Sequence, residues 1–154
     1  DNLIEEGEEI LNLFNADNEE DMRFLSSLGI DPFYELANVY IVMGKLDRAI
    51  EIYRRAIQVY PMNHAKYFKQ LGVLYKLEDE TEASVDAFRQ VLNMNPADCE
   101  ARFKLASVYE AIGDMLNALE QYQACLKYTT NAAESSRVKE KMKQLQSKDS
   151  IIGK

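Results

Sequence analysis

The sequence has few of the residues on which small catalytic or disulfide-stabilised proteins depend. Among 154 residues there are one histidine, two cysteines, three prolines, six glycines and no tryptophan. So few prolines and glycines argue against collagen, proline-rich linkers and a loop-dense β-sandwich. No run approaches the roughly 18 consecutive apolar residues of a membrane-spanning helix. No signal or transit segment is visible, although the chain begins at Asp1 without a methionine, so a targeting segment could lie outside it.

The two cysteines, Cys99 and Cys125, form neither a CxxC motif nor a Cys/His cluster with the spacing of a zinc site. A single pair is also too few for a disulfide framework. We therefore expect both to be reduced thiols in a cytoplasmic or nuclear protein. Cys125 falls at a small position that is expected in the core, whereas Cys99 opens a predicted helix.

The residues needed for catalysis are largely missing. His64 lies in a predicted loop just before a helix, and a lone histidine there fits a solvated or helix-start residue better than a general base. No Ser/His/Asp or Cys/His set can be assembled, and the phosphate-binding patterns GxxxxGK[ST] and GxGxxG are absent. We predict no catalytic residues, no metal site and no cofactor, and hence a protein that is not an enzyme.

The charge is acidic and unevenly distributed. The chain carries 26 acidic and 18 basic residues, a net charge of −8, so phosphate would repel it and neither nucleic acid nor a membrane surface is an expected partner. Residues 1–30 contain nine acids and one base, residues 31–131 contain 14 and 11, and residues 132–154 contain three and six. These runs fit solvated helix faces, or two ends that attract each other or a neighbouring subunit.

The middle of the chain repeats itself, first after 35 residues and then after 34. Corresponding positions in the three segments carry a leucine, a small residue, a tyrosine, a second small residue, a second aromatic and a third small or apolar residue. The matched sets are Leu36, Leu71 and Leu105; Ala37, Gly72 and Ala106; Tyr40, Tyr75 and Tyr109; Ala49, Ser84 and Ala118; Tyr53, Phe88 and Tyr122; and Ala56, Val91 and Cys125.

Each segment contains two stretches in which apolar residues recur at helical spacing. Gly44 and Gly113 lie between the two stretches, where a helix-ending residue with positive φ is wanted. The second segment has Glu78 and Asp79 there, so its turn is less well specified. Proline follows the second stretch in the first two segments, which stops that helix. The pattern therefore predicts three helix-turn-helix units.

This pattern resembles the signature of the tetratricopeptide-repeat family, in which Leu-small-x-x-Tyr is followed by Ala, an aromatic, a small residue and Pro within about 34 residues. The resemblance covers about 31–131. The second segment departs from it at Ser84 and Val91. The third has Arg102 where a large aromatic is usual, and Thr130 in place of the closing proline.

The resemblance implies an all-α fold: a right-handed α-solenoid of three helix-turn-helix units with an N-terminal helical extension and a C-terminal capping helix. A single helix pair cannot bury its own apolar face, so about three must stack. The expected segments are an acidic helical N-terminal cap at 1–30, repeats at 31–63, 64–97 and 98–131, a capping helix at 132–147 and a frayed tail at 148–154. The N-terminal segment could instead end a preceding repeat or dock elsewhere.

The expected capping helix has an apolar side and a basic side. Val138, Met142 and Leu145 would cover the last repeat. Lys139, Lys141 and Lys143 would face solvent. Terminal repeats of a solenoid need a cap with such a polar back.

The resemblance also implies a concave groove lined by the first helix of each unit, which in this family receives a peptide or a helix. The residues expected to line it are Tyr34, Asn38, Ile41, Lys66, Lys69, Gln70, Val73, Lys76, Phe103, Lys104 and Ser107. Three of its lysines, Lys66, Lys69 and Lys76, come from one helix and would suit an acidic partner segment, unless they are merely solvated.

Co-chaperones of the family grip chaperone tails with Lys and Asn, then Asn, then Lys and Arg. This chain has Tyr34, Asn38, Gln70, Glu100 and Lys104 at those positions, and only Asn38 matches outright. Chaperone-tail binding is therefore the less favoured hypothesis. We expect a non-catalytic interaction or scaffold module of a larger assembly. The alternatives are a substrate-recruiting domain of an enzyme whose catalytic part lies elsewhere, and self-association, with a monomer favoured.

Overall fold

The computed structural model describes residues 27–29, 31–59 and 64–152. These residues form seven helices and no strand. The helices are α1 (Pro32–Val42), α2 (Leu46–Val59), α3 (His64–Leu77), α4 (Thr81–Met94), α5 (Cys99–Ala111), α6 (Met115–Tyr128) and α7 (Ala132–Ile152). The order confirms the expected all-α class of paired helices. The acidic cap expected at 1–30 lies outside the described residues except for 27–29.

The described residues divide into two compact units, one ending at Leu74 and the other beginning at Tyr75. In the first unit α1 packs against α2. Most of α3 also belongs to this unit, which ends at Leu74. In the second unit α4 packs against α5, α5 against α6, and α6 against α7. The second unit therefore contains the third repeat together with the C-terminal helix.

The repeat signature forms the core of both units. The small residues Ala37, Ala49 and Ala118 are completely buried, and so are the aromatic side chains of Tyr53 and Tyr122. Small side chains let two helix backbones approach closely, while each buried aromatic removes a large apolar area from water. Burying a side chain of that size contributes roughly 1.5–3 kcal/mol, so these positions account for much of the packing energy.

The same turn ends the first helix of each repeat. Gly44 and Gly113 have φ values of 70° and 78°, as the pattern predicts, and Asp79 takes the equivalent place with φ 59°. The backbone N–H of the following residue donates to the carbonyl of the signature tyrosine, as Lys45 does to Tyr40 at 2.9 Å. This is a Schellman motif. It also forms in the second repeat, where no glycine is available.

Aspartates begin three of the helices. The carboxylate of Asp31 accepts from the backbone N–H of Tyr34 at 3.0 Å, and that of Asp98 accepts from Ala101 at 2.9 Å. Asp114 accepts from Asn117 in the same way at 3.2 Å. Each side chain satisfies one of the donors that a helix start leaves unpaired, and each cap is typically worth about 1 kcal/mol.

Two features differ from the sequence expectation. Cys99 and Cys125 are paired as a disulfide between α5 and α6, so the expectation of two reduced thiols was wrong. The repeat packs the start of one helix against the end of the other, which brings the two sulfurs together. In addition, α7 continues to Ile152, beyond the expected end at 147, because residues 148–152 contain neither proline nor glycine.

Candidate partner-binding surfaces

The residues expected to line a groove share one level of exposure. All are half-buried, so they are neither core residues nor fully solvated ones. Seven lie in the first unit (Tyr34, Asn38, Ile41, Lys66, Lys69, Gln70 and Val73), and four lie in the second (Lys76, Phe103, Lys104 and Ser107). Half-buried apolar and aromatic side chains still have surface that a partner could cover.

In the first unit Lys66 is occupied by its neighbours. Its Nζ lies 3.4 Å from a carboxylate oxygen of Asp31 and 3.6 Å from the centre of the Tyr34 ring. The other oxygen of Asp31 accepts from the Tyr67 hydroxyl at 3.0 Å. Lys66 therefore contributes little free positive charge, and the surface around Tyr34 offers an aromatic ring beside a neutralised ion pair.

Tyr34 belongs to a cluster of three tyrosine rings, together with Tyr53 and Tyr67. The ring of Tyr53 lies 6.3 Å from that of Tyr34 and 5.9 Å from that of Tyr67. Its buried hydroxyl has no hydrogen-bond partner among the described residues. Burial, followed by the nearby Tyr34 and Asp31, raises the pKa of the Tyr53 phenol well above its ordinary value. The cluster is rigid, apolar support for Tyr34 and is not a titrating site near neutral pH.

In the second unit Phe103 is held between two side chains. Its ring meets that of Tyr122 edge-on, with centroids 5.2 Å apart, and the guanidinium of Arg137 on α7 lies 4.0 Å from its centroid. Both are favourable geometries for an aromatic ring. A pocket of about 150 Å³ opens beside it, lined by Glu100, Phe103, Lys104, Glu134 and Arg137.

Lys76, at the end of α3, contacts the face of α5 that carries Phe103. Its Nζ donates to the backbone carbonyl of Ser107 at 3.1 Å and to the Ser107 hydroxyl at 2.9 Å. That hydroxyl in turn donates to the carbonyl of Lys104 at 2.7 Å. The pKa of Lys76 is lowered, first by burial and then by the positive charges of Lys104 and Lys141, against the opposing effect of Glu110.

Glu110 connects α5, α6 and α7. One carboxylate oxygen accepts from the Tyr122 hydroxyl at 2.5 Å, and the other lies 3.7 Å from the Nζ of Lys141. Burial and the hydrogen bond to Glu110 raise the pKa of Tyr122 well above its ordinary value. Lys141, which the sequence places in solvent, is half-buried and also pairs with Glu110.

Sequence reasoning missed Arg137 and Lys141 as parts of this surface. The usable signal was the four-residue spacing of Arg137 and Lys141, which puts both on one side of a helix. Within the described parts of the chain, no group of histidine, cysteine and carboxylate side chains could hold a metal ion. Nor is any helix there long and apolar enough to cross a membrane.

Comparisons with known proteins agree with this geometry. Two family models, both described as tetratricopeptide repeat, match residues 30–63 and 73–133. The BBSome complex member BBS4 of Bos taurus is 28% identical over 88 residues, which is 57% of this chain but only 17% of that protein. The chain therefore spans a small fraction of that relative's length.

Solved structures share the fold. The first TPR of Spaghetti (RPAP3), bound to the HSP90 peptide SRMEEVD, aligns with a TM-score of 0.65 at 17% identity, covering 77% of this chain and 90% of that one. PcrH in complex with the chaperone binding region of PopD aligns with a TM-score of 0.66 at 17% identity, covering 76% and 90%. The two family models, which together match most of the chain, establish that the chain belongs to the tetratricopeptide-repeat family.

Proposed function

We propose that this chain is a non-catalytic module that binds a segment of a partner protein on the half-buried faces of its first helices. In the first unit a segment would cover Tyr34, Asn38 and Ile41 of α1 with Gln70 and Val73 of α3. In the second unit, considered by itself, a segment would cover Phe103 and the residues around it. The module would belong to a larger assembly protein, and the expected location stays cytoplasmic or nuclear.

The observation that carries the proposal is the placement of Phe103. A large aromatic residue on α5 is only half-buried, fixed by Tyr122 and Arg137, and bordered by an open pocket. Aromatic anchors in pockets, surrounded by polar side chains, are the usual energetic centres of protein interfaces. Two solved proteins of similar fold are described as complexes with peptide or protein segments, which supports the same use of this one.

Binding of a chaperone tail is a weaker candidate for this chain. The positions that grip the tail carboxylates in co-chaperones are occupied here by Tyr34, Gln70 and Glu100, besides Asn38 and Lys104. Glu100 lies 4.0 Å from the Nζ of Lys104, the one lysine that this chain retains at those positions, and offsets its charge. We therefore expect an internal segment of a partner rather than a chain terminus.

The proposal is tested with a library of random 12-residue peptides displayed on phage, selected against the immobilised chain. Selected peptides, resynthesised, should bind in solution, and Phe103→Ala or Tyr34→Ala should weaken that binding about tenfold or more, as expected for an interface anchor. Leu116→Ala is the matched control, because Leu116 is 82% exposed on α6 and lies outside the proposed surfaces.

Circular dichroism of each variant separates lost binding from lost folding. A photo-crosslinking residue in place of Phe103 gives a second readout, because the residues it captures should come from the peptide. Failure to select any peptide, or peptides whose affinity is insensitive to both Tyr34 and Phe103, would refute the proposal.

A further inference from the structure

Cations from three helices converge on one face of α5 in the second unit. Arg137 of α7 lies over Phe103, Lys76 of α3 donates to Ser107, and Lys141 of α7 pairs with Glu110. Lys104 comes from α5 itself. We call these four side chains, Lys76, Lys104, Arg137 and Lys141, the α5 basic surface.

The carboxylates around this surface are already engaged. Glu110 accepts from Tyr122 and pairs with Lys141, while Glu134 accepts from the Thr129 hydroxyl. Glu100 lies 4.0 Å from the Nζ of Lys104. Neither Lys76 nor Arg137 forms an ion pair within the described part of the chain. Two cations without an ion pair therefore lie on a face that also presents an aromatic ring.

Lys76 lies among charges of both signs. Burial is the main cause that lowers the pKa of its amine; among the charges Glu110 has the largest effect and raises the pKa, whereas repulsion from Lys104 and Lys141 lowers it. An anion bound there would relieve this repulsion. Positive side chains held close together without enough carboxylates favour an anionic partner through charge complementarity.

We propose that the α5 basic surface binds carboxylate side chains of an acidic segment in a partner protein, with Arg137 and Lys76 as the principal ligands. This inference rests on the proposed function and specifies the chemistry of the partner. It also makes α7 part of the binding site, and not only a cap on the last repeat.

The geometry of Arg137 suits this role. Its guanidinium carbon lies 4.0 Å from the centre of the Phe103 ring. An arginine held against an aromatic ring can still form two parallel hydrogen bonds to a carboxylate, and it loses less rotational freedom on binding than a free side chain. An apolar or aromatic residue beside the carboxylate could enter the 150 Å³ pocket and contact Phe103.

The test uses the resynthesised peptides from the selection described above and, for each, a matched version with every Glu and Asp replaced by Gln and Asn. The selected peptides should be enriched in Glu and Asp, and the neutral versions should bind about tenfold more weakly or worse. Raising the salt from about 50 to about 500 mM should weaken the acidic peptides strongly and the neutral ones little.

Paired substitutions on α7 then identify the residues. R137Q/K141Q should weaken the acidic peptides about tenfold or more, whereas K139Q/K143Q should leave their affinity unchanged. The two double variants change the net charge equally on the same helix, but Lys139 and Lys143 are exposed and lie outside the surface. R137K keeps the charge but loses the two-pronged geometry, so it should give an intermediate loss even if the double variant disturbs α7.

The outcomes separate this inference from the proposed function. Peptides that depend on Phe103 but carry no acidic residues, or bind R137Q/K141Q and R137K as well as the original chain, would overturn the inference and leave the proposed function standing. Equal losses of affinity in both double variants would show only a long-range attraction between net charges, and would also overturn the inference. A self-association that R137Q/K141Q abolishes, seen by sedimentation, would assign the surface to a second copy and overturn the partner proposed here. No selected peptide at all would refute both.

Discussion

Asp79 shows how one residue can complete a turn that glycine completes elsewhere. It has φ 59°, and the next backbone N–H, that of Glu80, donates to the carbonyl of Tyr75 at 2.8 Å. A side chain in this left-handed region is strained, although aspartate tolerates it better than most residues. The hydrogen-bonding pattern of the repeat outweighs that cost, which explains why the turn forms without glycine.

We expect Asp79→Gly to stabilise the protein by about 0.5–1 kcal/mol, because glycine adopts positive φ without strain. Glu78→Gly is the control: Glu78 precedes the turn and does not have positive φ, so glycine there should be destabilising. Urea denaturation of both variants measures the difference. Equal effects at the two positions would mean that φ strain at Asp79 is not what limits this turn.

Tyr53 and Tyr122 occupy equivalent positions but differ in their hydroxyl groups. That of Tyr122 donates to Glu110, whereas that of Tyr53 is buried without a partner in the described residues. A hydrogen bond to a charged group contributes about 1.5–3 kcal/mol, and an unsatisfied buried hydroxyl costs about 1–3 kcal/mol. Tyr122→Phe should therefore destabilise the protein at neutral pH, and Tyr53→Phe should be neutral or stabilising in the same urea experiment.

The same two tyrosines should lower stability in alkaline solution. Both have folded-state pKa values above the ordinary value of 10.0, chiefly because burial disfavours the phenolate. Below about pH 10 they are protonated in both states and contribute no pH dependence. Above it the unfolded chain loses protons that the folded chain retains, so stability falls as the pH rises. Each Tyr→Phe variant should flatten this fall between about pH 9 and 11, and an unchanged slope would contradict the assignment.

At the scale of single helices, α7 has a buried side and a binding side. Val138 is completely buried and Leu145 almost so, whereas Arg137 and Lys141 face α5. Packing of the first pair positions the second. We expect Val138→Ala to cost about 1–2 kcal/mol through the lost burial and the cavity it leaves. Lys139→Ala, on the exposed side, should cost less than about 0.5 kcal/mol.

Hydrogen exchange checks where that effect falls. Amides of α7 and of the neighbouring α6 should exchange faster in Val138→Ala than in Lys139→Ala, because α6 packs against α7. An equally fast exchange in both variants would show that burial of Val138 does not hold the helix in place.

The helices of the repeats could be predicted from the sequence, but their side-chain pairs could not. Spacing of apolar residues defines which side of a helix is buried, and it anticipated Val138 and Leu145. It does not define the rotation of α7 against α5, and so it left Lys141 in solvent when Glu110 lies within 3.7 Å. Likewise Lys66 was expected as free positive charge, but the cap residue Asp31 engages it. Such pairs depend on the distances and rotations between helices, which the spacing of apolar residues within one helix does not specify.

At the scale of the whole molecule, the repeat sufficed to predict the fold, because most signature positions bury the same kinds of residue in each repeat, as Tyr53, Phe88 and Tyr122 do. The disulfide could not be predicted in this way, since Cys99 and Cys125 are 26 residues apart and neither belongs to a recognisable motif. Disulfides persist in oxidising compartments and are rare in the cytosol, so this pair counts against the cytoplasmic or nuclear location that the sequence predicts.

Reduction of this disulfide should have a local effect. A cross-link over 26 residues stabilises by about 3 kcal/mol in the chain-entropy description, and Cys99 and Cys125 both lie in the second unit. In repeat proteins stability is approximately a sum of local terms, so one unit can loosen while another does not. Treatment with dithiothreitol should accelerate amide exchange in α5 and α6 and leave α1 and α2 unchanged.

The control is the C99S/C125S variant, whose exchange should resemble that of the reduced protein and should not respond to dithiothreitol. Alkylation followed by mass spectrometry, with and without reduction, verifies the pairing, since both thiols should react only after reduction. Because Phe103 follows Cys99 by one turn on α5, a loosened α5–α6 pair should also weaken the peptide affinities measured at Phe103. Exchange that rises equally in α1 and α2 would show that the two units unfold together, and that the effect of the disulfide is global.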